Sequence, residues 1–440
     1  MSQNGFASSS GDDRGARRDT SRSFAGRNRD SVETARNASA LTRDAAHGGR
    51  AALIAELTID LGAIARNVAR LKALVAPARY AAVVKADAYG HGLVPVASAL
   101  AREVDAFCVY GVNEAAELRA AGIETPVLVL GPVEPNELAV AQESGAAIAL
   151  WSTGGFARDA ARTARERGCR FAVHAKIDTG ATRLGLDRDR AAEALGAYLT
   201  DPGLEVRGVF THLAAAEELE SAFTLAQLEH FRRAIEPFEA TLRERGVVRH
   251  AAASAAAMLF PNLRLDLVRA GIATYGIWPS PQTEAAVAGT LLLEPALSWT
   301  TRVVVVRAVE AGRSVGYGCA YHTTRASRIA VLPIGYAEGI PRAAGNSGSA
   351  IVAGHRVPFV GRICMNMSFL DVTDVPEAHP GSRVTLIGTD GGASIDANAF
   401  AEAAGTIGYE IVARLPAGVP RRYAGSATAA IASPRSIVPS

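Results

Sequence analysis

The chain has 440 residues, of which 49% are hydrophobic and 20% charged, a balance typical of globular proteins rather than of disordered or membrane-embedded chains. A formal net charge of +2 is too small for a protein that grips a phosphate backbone, so nucleic acid is excluded as the expected partner. Four cysteines, Cys108, Cys169, Cys319 and Cys364, lie far apart without a C-x-x-C pair, which argues against a disulfide framework or zinc ribbon and for a reducing, cytoplasmic compartment. No stretch reaches the ~18 consecutive apolar residues of a membrane span, so no membrane partner is expected.

Residues 1–50 are rich in Ser, Gly, Asp and Arg, with few large apolar side chains beyond Phe6, Phe24 and Leu41. Such a segment cannot bury enough surface to offset its ordering entropy and is expected to be a disordered tail. Arg17-Arg18 is followed by no apolar run, so it does not read as an export signal. The tail holds nine Arg against six Asp or Glu, so the mild basicity belongs to it and the remaining body is close to neutral. Residues 425–440 read as a second disordered tail.

The body opens with a short apolar strand at 55–59, and Asp60 is placed to cap a helix whose Ile64, Val68, Leu71 and Val75 share one face. Short β-type runs then recur at 80–86, 106–110, 126–130, 146–150, 171–177, 206–211, 247–252 and 267–272, with Ala- and Arg-rich helical stretches between most of them. Intervals of that length suit strand–helix units rather than hairpins. Eight such units predict a (β/α)₈ TIM-type barrel over residues 51–293, in which reactive residues should gather at the C-terminal ends of the strands. Lys85, Lys176, Arg183, His212, Ser254 and Arg269 all fall near or just beyond a strand end. A doubly wound sheet is the alternative, but no G-x-G-x-x-G follows the first strand. Past residue 293 the texture becomes β-rich, with runs at 301–309, 329–334, 350–352, 357–363 and 383–387 and one helical stretch near 397–404. This predicts an all-β domain over 294–424.

The most informative segment is VVKADAYGHG at 83–92. A lysine at the end of an apolar strand is partly desolvated, which lowers its pKa and suits it to Schiff-base chemistry, although position alone equally describes a lysine on the barrel rim. The decapeptide resembles the pyridoxal-phosphate attachment motif of alanine racemases. The resemblance continues in order through KIDTGATRLG (176–185), THLA (211–214), ASAA (253–256), VRAGIATYG (268–276), VGYG (315–318), IGYAEG (334–339), GRICMN (361–366) and TIGYEI (406–411).

The resemblance implies an isomerase interconverting L- and D-alanine and supplying D-alanine for peptidoglycan, with pyridoxal 5'-phosphate on Lys85. Racemisation removes a Cα proton from one face and returns one to the other, so two opposed bases are natural. By resemblance these are Lys85 and Tyr317, the tyrosine reaching the site of a neighbouring subunit in a homodimer. His212 and Arg269 are implied to lower the cost of using a tyrosine as base, and Arg269 to donate to the pyridine nitrogen. Ser254, Gly271 and Ile272, with the hydroxyls of Tyr89 and Tyr409, are implied to hold the cofactor phosphate. Arg183 and the N–H of Met365 are implied to bind the substrate carboxylate. Lys176 matches a lysine that can be carbamylated to hold that arginine, and Tyr336 a supporting residue at the entrance. No metal site is implied.

Four places depart from the family pattern. Ala253 stands where asparagine is usual, Ala181-Thr182 where Met-Gly is more common, and Glu338 and Asn366 each where aspartate is usual. They are expected to reshape the site and to bear on alanine selectivity, which keeps a broader-specificity amino-acid racemase as the alternative. Decarboxylases of similar build would place an acid against the pyridine nitrogen where this chain has Arg269. A non-catalytic single-barrel carrier of the cofactor would lack the second domain and Tyr317.

Overall fold

The computed structural model describes residues 55–425 apart from Thr153 and Glu220, so the two expected tails lie outside the described residues. Asp60 caps the first helix as its sequence position demands, its Oδ1 accepting from the Ala63 N–H at 2.9 Å. Ile64, Val68, Leu71 and Val75 form the buried face of that helix, Leu61–Val75.

The strand preceding it, β1 (Ala55–Asp60), is followed by β2 (Arg79–Val83), β3 (Ala106–Val109), β4 (Val127–Val129), β5 (Ala147–Leu150), β6 (Phe171–Asp178), β7 (Leu186–Asp187), β8 (Leu204–Phe210), β9 (Val248–His250) and β10 (Leu267–Ala270). All eight expected barrel strands form, as β2 to β6 and β8 to β10. They pair in parallel in the order β10-β2-β3-β4-β5-β6-β8-β9. Two backbone bonds, Asp266 N–H to Arg249 O and Arg269 N–H to Ala252 O, each 3.0 Å, bring β9 against β10 and nearly close the barrel. Successive strands are hydrogen-bonded neighbours, with helices between them on the outside, because each run of apolar residues can be covered on both faces only that way.

The first barrel strand ends three residues short of its expected limit. Ala86, Asp87, Ala88 and Tyr89 have φ between 52° and 55°, a left-handed turn immediately after Lys85. Side chains of this kind adopt that conformation at a cost of roughly 1–2 kcal/mol each, so surrounding contacts must hold it. The Asp87 carboxylate accepts from the Leu93 N–H at 2.8 Å, and Gly90 lies so close to Val412 O that a Cβ there would be 2.0 Å away.

The second unit is mainly β. Its larger sheet contains β11 (Leu297–Arg302), β14 (Ser349–Val352), β15 (His355–Pro358), β17 (Arg383–Asp390), β18 (Ala393–Ile395) and β19 (Arg421–Ala424); a three-stranded sheet comprises β12 (Val305–Val309), β13 (Ser327–Leu332) and β16 (Ser368–Asp371). β1 belongs here too, paired antiparallel to β11 and parallel to β19. Among the described residues the path therefore begins in this sheet, builds the barrel and returns. The expected run at 301–309 is two strands, broken at Val303-Val304. Beside the expected helix, observed at Ala397–Glu402, a six-residue helix at Gly408–Ala413 has no counterpart in the sequence reading.

Candidate active site

The C-terminal ends of the barrel strands surround a cavity of about 1200 Å³ whose lining includes Lys85, Tyr89, Lys176, Arg183, His212, Ser254, Arg269, Gly271, Ile272 and Tyr409. Every candidate residue from the barrel thus faces one space, as does Tyr409 from the second unit. Tyr317, Tyr336 and Met365 do not line it.

Lys85 is half-buried at the cavity wall, and burial first, then the nearby Arg183 charge, lowers its pKa. Lys176 is lowered to about 8, by burial first and then by Arg183 and Arg269. Both amines therefore carry more neutral form near pH 8 than an exposed lysine does. Arg183 sits in a loop folded on Asp178, whose carboxylate accepts from the N–H groups of Gly180 (2.9 Å), Thr182 (3.1 Å) and Arg183 (3.2 Å). Those bonds hold Thr182, a β-branched residue, at φ 52°, where glycine is usual in the resembling family.

Arg269 is buried at the end of β10. Its Nη2 donates to Thr211 O (2.8 Å) and Ala251 O (3.1 Å), and its Nη1 to His250 Nδ1 (2.6 Å). Three of the five guanidinium N–H groups are spent, leaving Nε–H and one Nη1–H for a ligand. His250 stacks on Phe210 with centroids 4.7 Å apart and contacts His174 through Nε2 to Nδ1 at 2.8 Å. His212 is pushed down to about 3 by burial first, then by Arg269, Arg183, Lys176 and Lys85, so it is a neutral imidazole at pH 7.

In the same cavity, Ser254 Oγ accepts from the N–H of Gly271 at 3.0 Å and of Ala273 at 3.4 Å. This leaves its own O–H, and the N–H of Ile272 at the start of a 3₁₀ turn, free of acceptors among the described residues. A Cβ on Gly271 would lie 2.4 Å from the Tyr89 hydroxyl, so only glycine lets that hydroxyl reach the cradle. Tyr89 packs between Tyr275 and Tyr409, with centroids at 5.1 and 6.4 Å. Burial pushes the Tyr89 hydroxyl up to about 12 and raises that of Tyr409 as well, so both remain O–H donors. These donors match a phosphate, the unspent Arg269 N–H groups an aromatic ring nitrogen, and Lys85 an aldehyde carbon. The residues fit pyridoxal 5'-phosphate. Ala253 lines the same wall, and its side chain contributes no polar atom.

Tyr317, Met365, Met367 and Tyr336 are 72%, 56%, 53% and 43% exposed. Their loops are laced together: Tyr336 N–H donates to Cys364 O at 3.0 Å, Ala337 N–H to Met365 O at 2.9 Å, and a Cβ on Gly318 would lie 2.9 Å from Arg362 Nη1. Glu338 and Asn366, two of the departures, bond each other at 2.7 Å.

Sequence reasoning did not find His174, His250 or Asp178. Alternation along β6 carried the signal for His174, which lies two residues before Lys176 and so on the same face.

The family descriptions "Alanine racemase, N-terminal domain" and "Alanine racemase, C-terminal domain" match residues 59–279 and 296–423. The alanine racemase of Desulfosudis oleivorans is 41% identical over 386 residues, covering 85% of this chain and 97% of its own. That of Symbiobacterium thermophilum is 42% identical over 369 residues, covering 83% and 96%. Among solved structures, the alanine racemase of Streptomyces lavendulae aligns with a TM-score of 0.80 at 33% identity, covering 86% of this chain and 99% of its own. The Bacillus anthracis enzyme with bound L-Ala-P aligns with a TM-score of 0.75 at 34% identity, covering 85% and 96%. With the barrel-end site described above, these likenesses establish that the chain belongs to the alanine racemase family and is a racemase, an isomerase.

Proposed function

We propose that the enzyme interconverts L- and D-alanine by a two-base mechanism, with pyridoxal 5'-phosphate held on Lys85 and Tyr317 supplied by a second copy of the chain. The observation that carries this reading is the convergence on one cavity of a desolvated lysine, two unspent Arg269 donors and the Ser254–Gly271–Ile272 cradle. Bound there, the cofactor supplies an electron sink that acidifies the substrate Cα–H.

The chain's own groups do the rest. Lys85 Nζ takes or returns the Cα proton on one face. Tyr317 serves the other face, with Arg269 and His212, held neutral by burial first and then by the Arg269 charge, lowering the cost of using a tyrosine as base. Arg269 keeps its proton, so toward the ring nitrogen of a bound cofactor it would donate a hydrogen bond without protonating it, which would limit electron withdrawal. Arg183 binds the substrate carboxylate with the N–H of Met365 from the second copy. Lys176, with its lowered pKa, has the neutral amine that carbamylation requires, and a carbamate there would ion-pair with Arg183.

A homodimer is supported by the exposure of Tyr317, Tyr336, Met365 and Met367 on loops that leave this chain's own cavity without a second base. A two-fold interface would give each cavity the other chain's loops. No helix of the described residues is long and apolar enough to cross a membrane, and the four cysteines are unpaired. We place the enzyme in the cytoplasm, feeding D-alanine to peptidoglycan.

The test is to follow loss of optical rotation and solvent deuterium uptake at Cα for L-alanine, L-serine and L-lysine with the cofactor-loaded enzyme. Fast exchange and racemisation of alanine alone is expected. Equal rates on all three would establish the broader-specificity racemase instead, and decarboxylation without racemisation would overturn the reading.

A further inference from the structure

The other end of the barrel holds a second cavity, of about 840 Å³, bordered by the starts of the strands. Arg79, Arg170, Arg207 and Arg245 line it, with Asp105, Asp201 and Glu205. Two of these carboxylates are occupied: Glu205 by Arg207 at 3.1 Å, and Asp201 by Arg165 at 3.1 Å. Arg170 and Arg245 spend one N–H each on the neutral carbonyls of Leu204 and Leu199, at 2.7 Å. Among the described residues, neither they nor Arg79 have an ion-pair partner. Asp105, whose carboxylate accepts from the Tyr80 N–H, is the one lining acid outside an ion pair, against three such arginines.

His174 lines this cavity while only 8% exposed, and it is the far end of the chain that begins at Arg269. The proton positions along that chain follow from one fixed point. Arginine only donates, so His250 Nδ1 must accept; its single proton is then on Nε2 and is given to His174 Nδ1; the proton of His174 is therefore on Nε2. Among the described residues nothing accepts that last N–H. Gly208 makes room for this arrangement, since a Cβ there would lie 2.2 Å from His174 Nδ1. The lower cavity thus offers three guanidinium groups outside ion pairs and a buried imidazole donor, against Asp105 as the one lining carboxylate outside an ion pair.

We propose that the N-terminal mouth of the barrel binds a phosphate-type dianion, free or as a phosphate monoester, and that the His174–His250–Arg269 chain couples its occupancy to the cofactor site. An anion at His174 Nε2–H makes Nδ1 a stronger acceptor, which makes His250 Nδ1 a stronger acceptor in turn and draws on the Arg269 Nη1–H. The guanidinium then pulls less on the cofactor ring nitrogen. No proton changes owner along the way. The coupling rests on the cofactor reading above; the binding site does not.

The experiment is calorimetric titration of inorganic phosphate, and separately of glycerol phosphate, into the cofactor-loaded enzyme, whose upper phosphate cradle is already filled, at constant ionic strength. Saturable binding at one site per chain is expected, weakened at least ~10-fold in the Arg79→Gln/Arg170→Gln variant through loss of charge-assisted bonds. Arg79→Gln alone, at an exposed side chain without a bond partner, should weaken it several-fold, so the test survives if the double variant fails to fold. Binding of phosphate but not its ester identifies the free ion; binding of both identifies the ester group as sufficient. No saturable heat with either, or heat unchanged in Arg79→Gln, overturns the site. For the coupling, saturating phosphate should shift the cofactor's visible absorbance in the parent enzyme and not in His174→Gln. A shift that persists in His174→Gln overturns the relay while leaving the site standing. Neither result depends on turnover, so failure here is distinguishable from failure of the racemase reading, which the alanine exchange assay decides.

Discussion

Replacing Gly271 with alanine tests the cradle directly. The added Cβ would lie 2.4 Å from the Tyr89 hydroxyl and 3.1 Å from its Cζ, against an ordinary contact of about 3.4 Å or more, so the hydroxyl must move by roughly 1 Å. The ring has little freedom to do so. Tyr275 packs against it at 5.1 Å and is itself fixed by a 2.9 Å bond to Val83 O, while the Tyr89 backbone is locked in the left-handed turn. The hydroxyl is therefore expected to lose its bond to the cofactor phosphate. A hydrogen bond to a charged group contributes about 1.5–3 kcal/mol, so cofactor affinity should fall roughly 10- to 150-fold. Titrating pyridoxal 5'-phosphate into the apo-protein and reading visible absorbance measures this, and at saturating cofactor kcat should change much less than affinity. The discriminating comparison is the double variant Gly271→Ala/Tyr89→Phe. With the hydroxyl gone, only the 3.1 Å approach to Cζ remains, a few tenths of an ångström for the ring to yield, so the double variant should bind no worse than about threefold below Tyr89→Phe alone. Additive losses, or parent affinity in Gly271→Ala, would refute the reasoning.

Tyr317→Phe should keep the cofactor's absorbance and lose about 10²- to 10⁴-fold in turnover, and unchanged turnover would show that Tyr317 is not a base. Lys85→Ala should lose the visible band of the bound cofactor; its persistence would place the cofactor on another lysine. Acid should destabilise the fold well above the carboxylate range. Burial, the largest cause in each case, holds His91 down to about 4 and His174 and His212 to about 3, against about 6.5 when unfolded. Their contribution is intact above pH 6.5 and is lost as pH falls toward 4, because only the unfolded chain takes up the protons in that window. Each such histidine contributes up to ~1.4 kcal/mol per pH unit. Urea midpoints at pH 7.0, 5.5 and 4.5 should fall steadily, and a flat profile would contradict the neutral assignment of these rings.

The barrel was legible because each parallel strand is a short apolar run that must be covered on both faces, and covering it requires the helices between. Helix Leu61–Val75 was legible for the same kind of reason, a capped and periodic face. What escaped depends on partners distant in the chain. Nothing local to β1 says that it pairs with β11 and β19, since a strand of alternating burial suits either sheet. The left-handed turn after Lys85 is invisible because Ala86, Asp87, Ala88 and Tyr89 have no intrinsic preference for it; Val412, on the unpredicted helix Gly408–Ala413, is among the groups packed against the turn. His174 and His250 read singly as core histidines. Only their 2.8 Å contact, made between strands 76 residues apart in sequence, turns them into a chain that reaches Arg269.

The entrance departures gain a different meaning from the same long-range geometry. Taken one at a time, Glu338 and Asn366 are two losses of aspartate and suggest a reshaped opening. In the fold they face each other: Asn366 Nδ2 donates to Glu338 Oε1 at 2.7 Å, while Glu338 Oε2 accepts from the Gly335 N–H at 2.8 Å. Two carboxylates at that separation would repel or share a proton, whereas an amide facing a carboxylate supplies the missing donor. The added methylene of glutamate lets one side chain span both the Gly335 N–H and Asn366. The loops of Tyr336 and Met365 remain docked through their own backbone bonds, so the pair preserves the presentation of the Met365 N–H rather than loosening it. Thr182 likewise is held in its left-handed conformation by Asp178, with Arg183 beside it. Three of the departures are thus absorbed by local bonding. Ala253 is the one that changes the polarity of the cavity wall, and any departure from the family's selectivity has to act there.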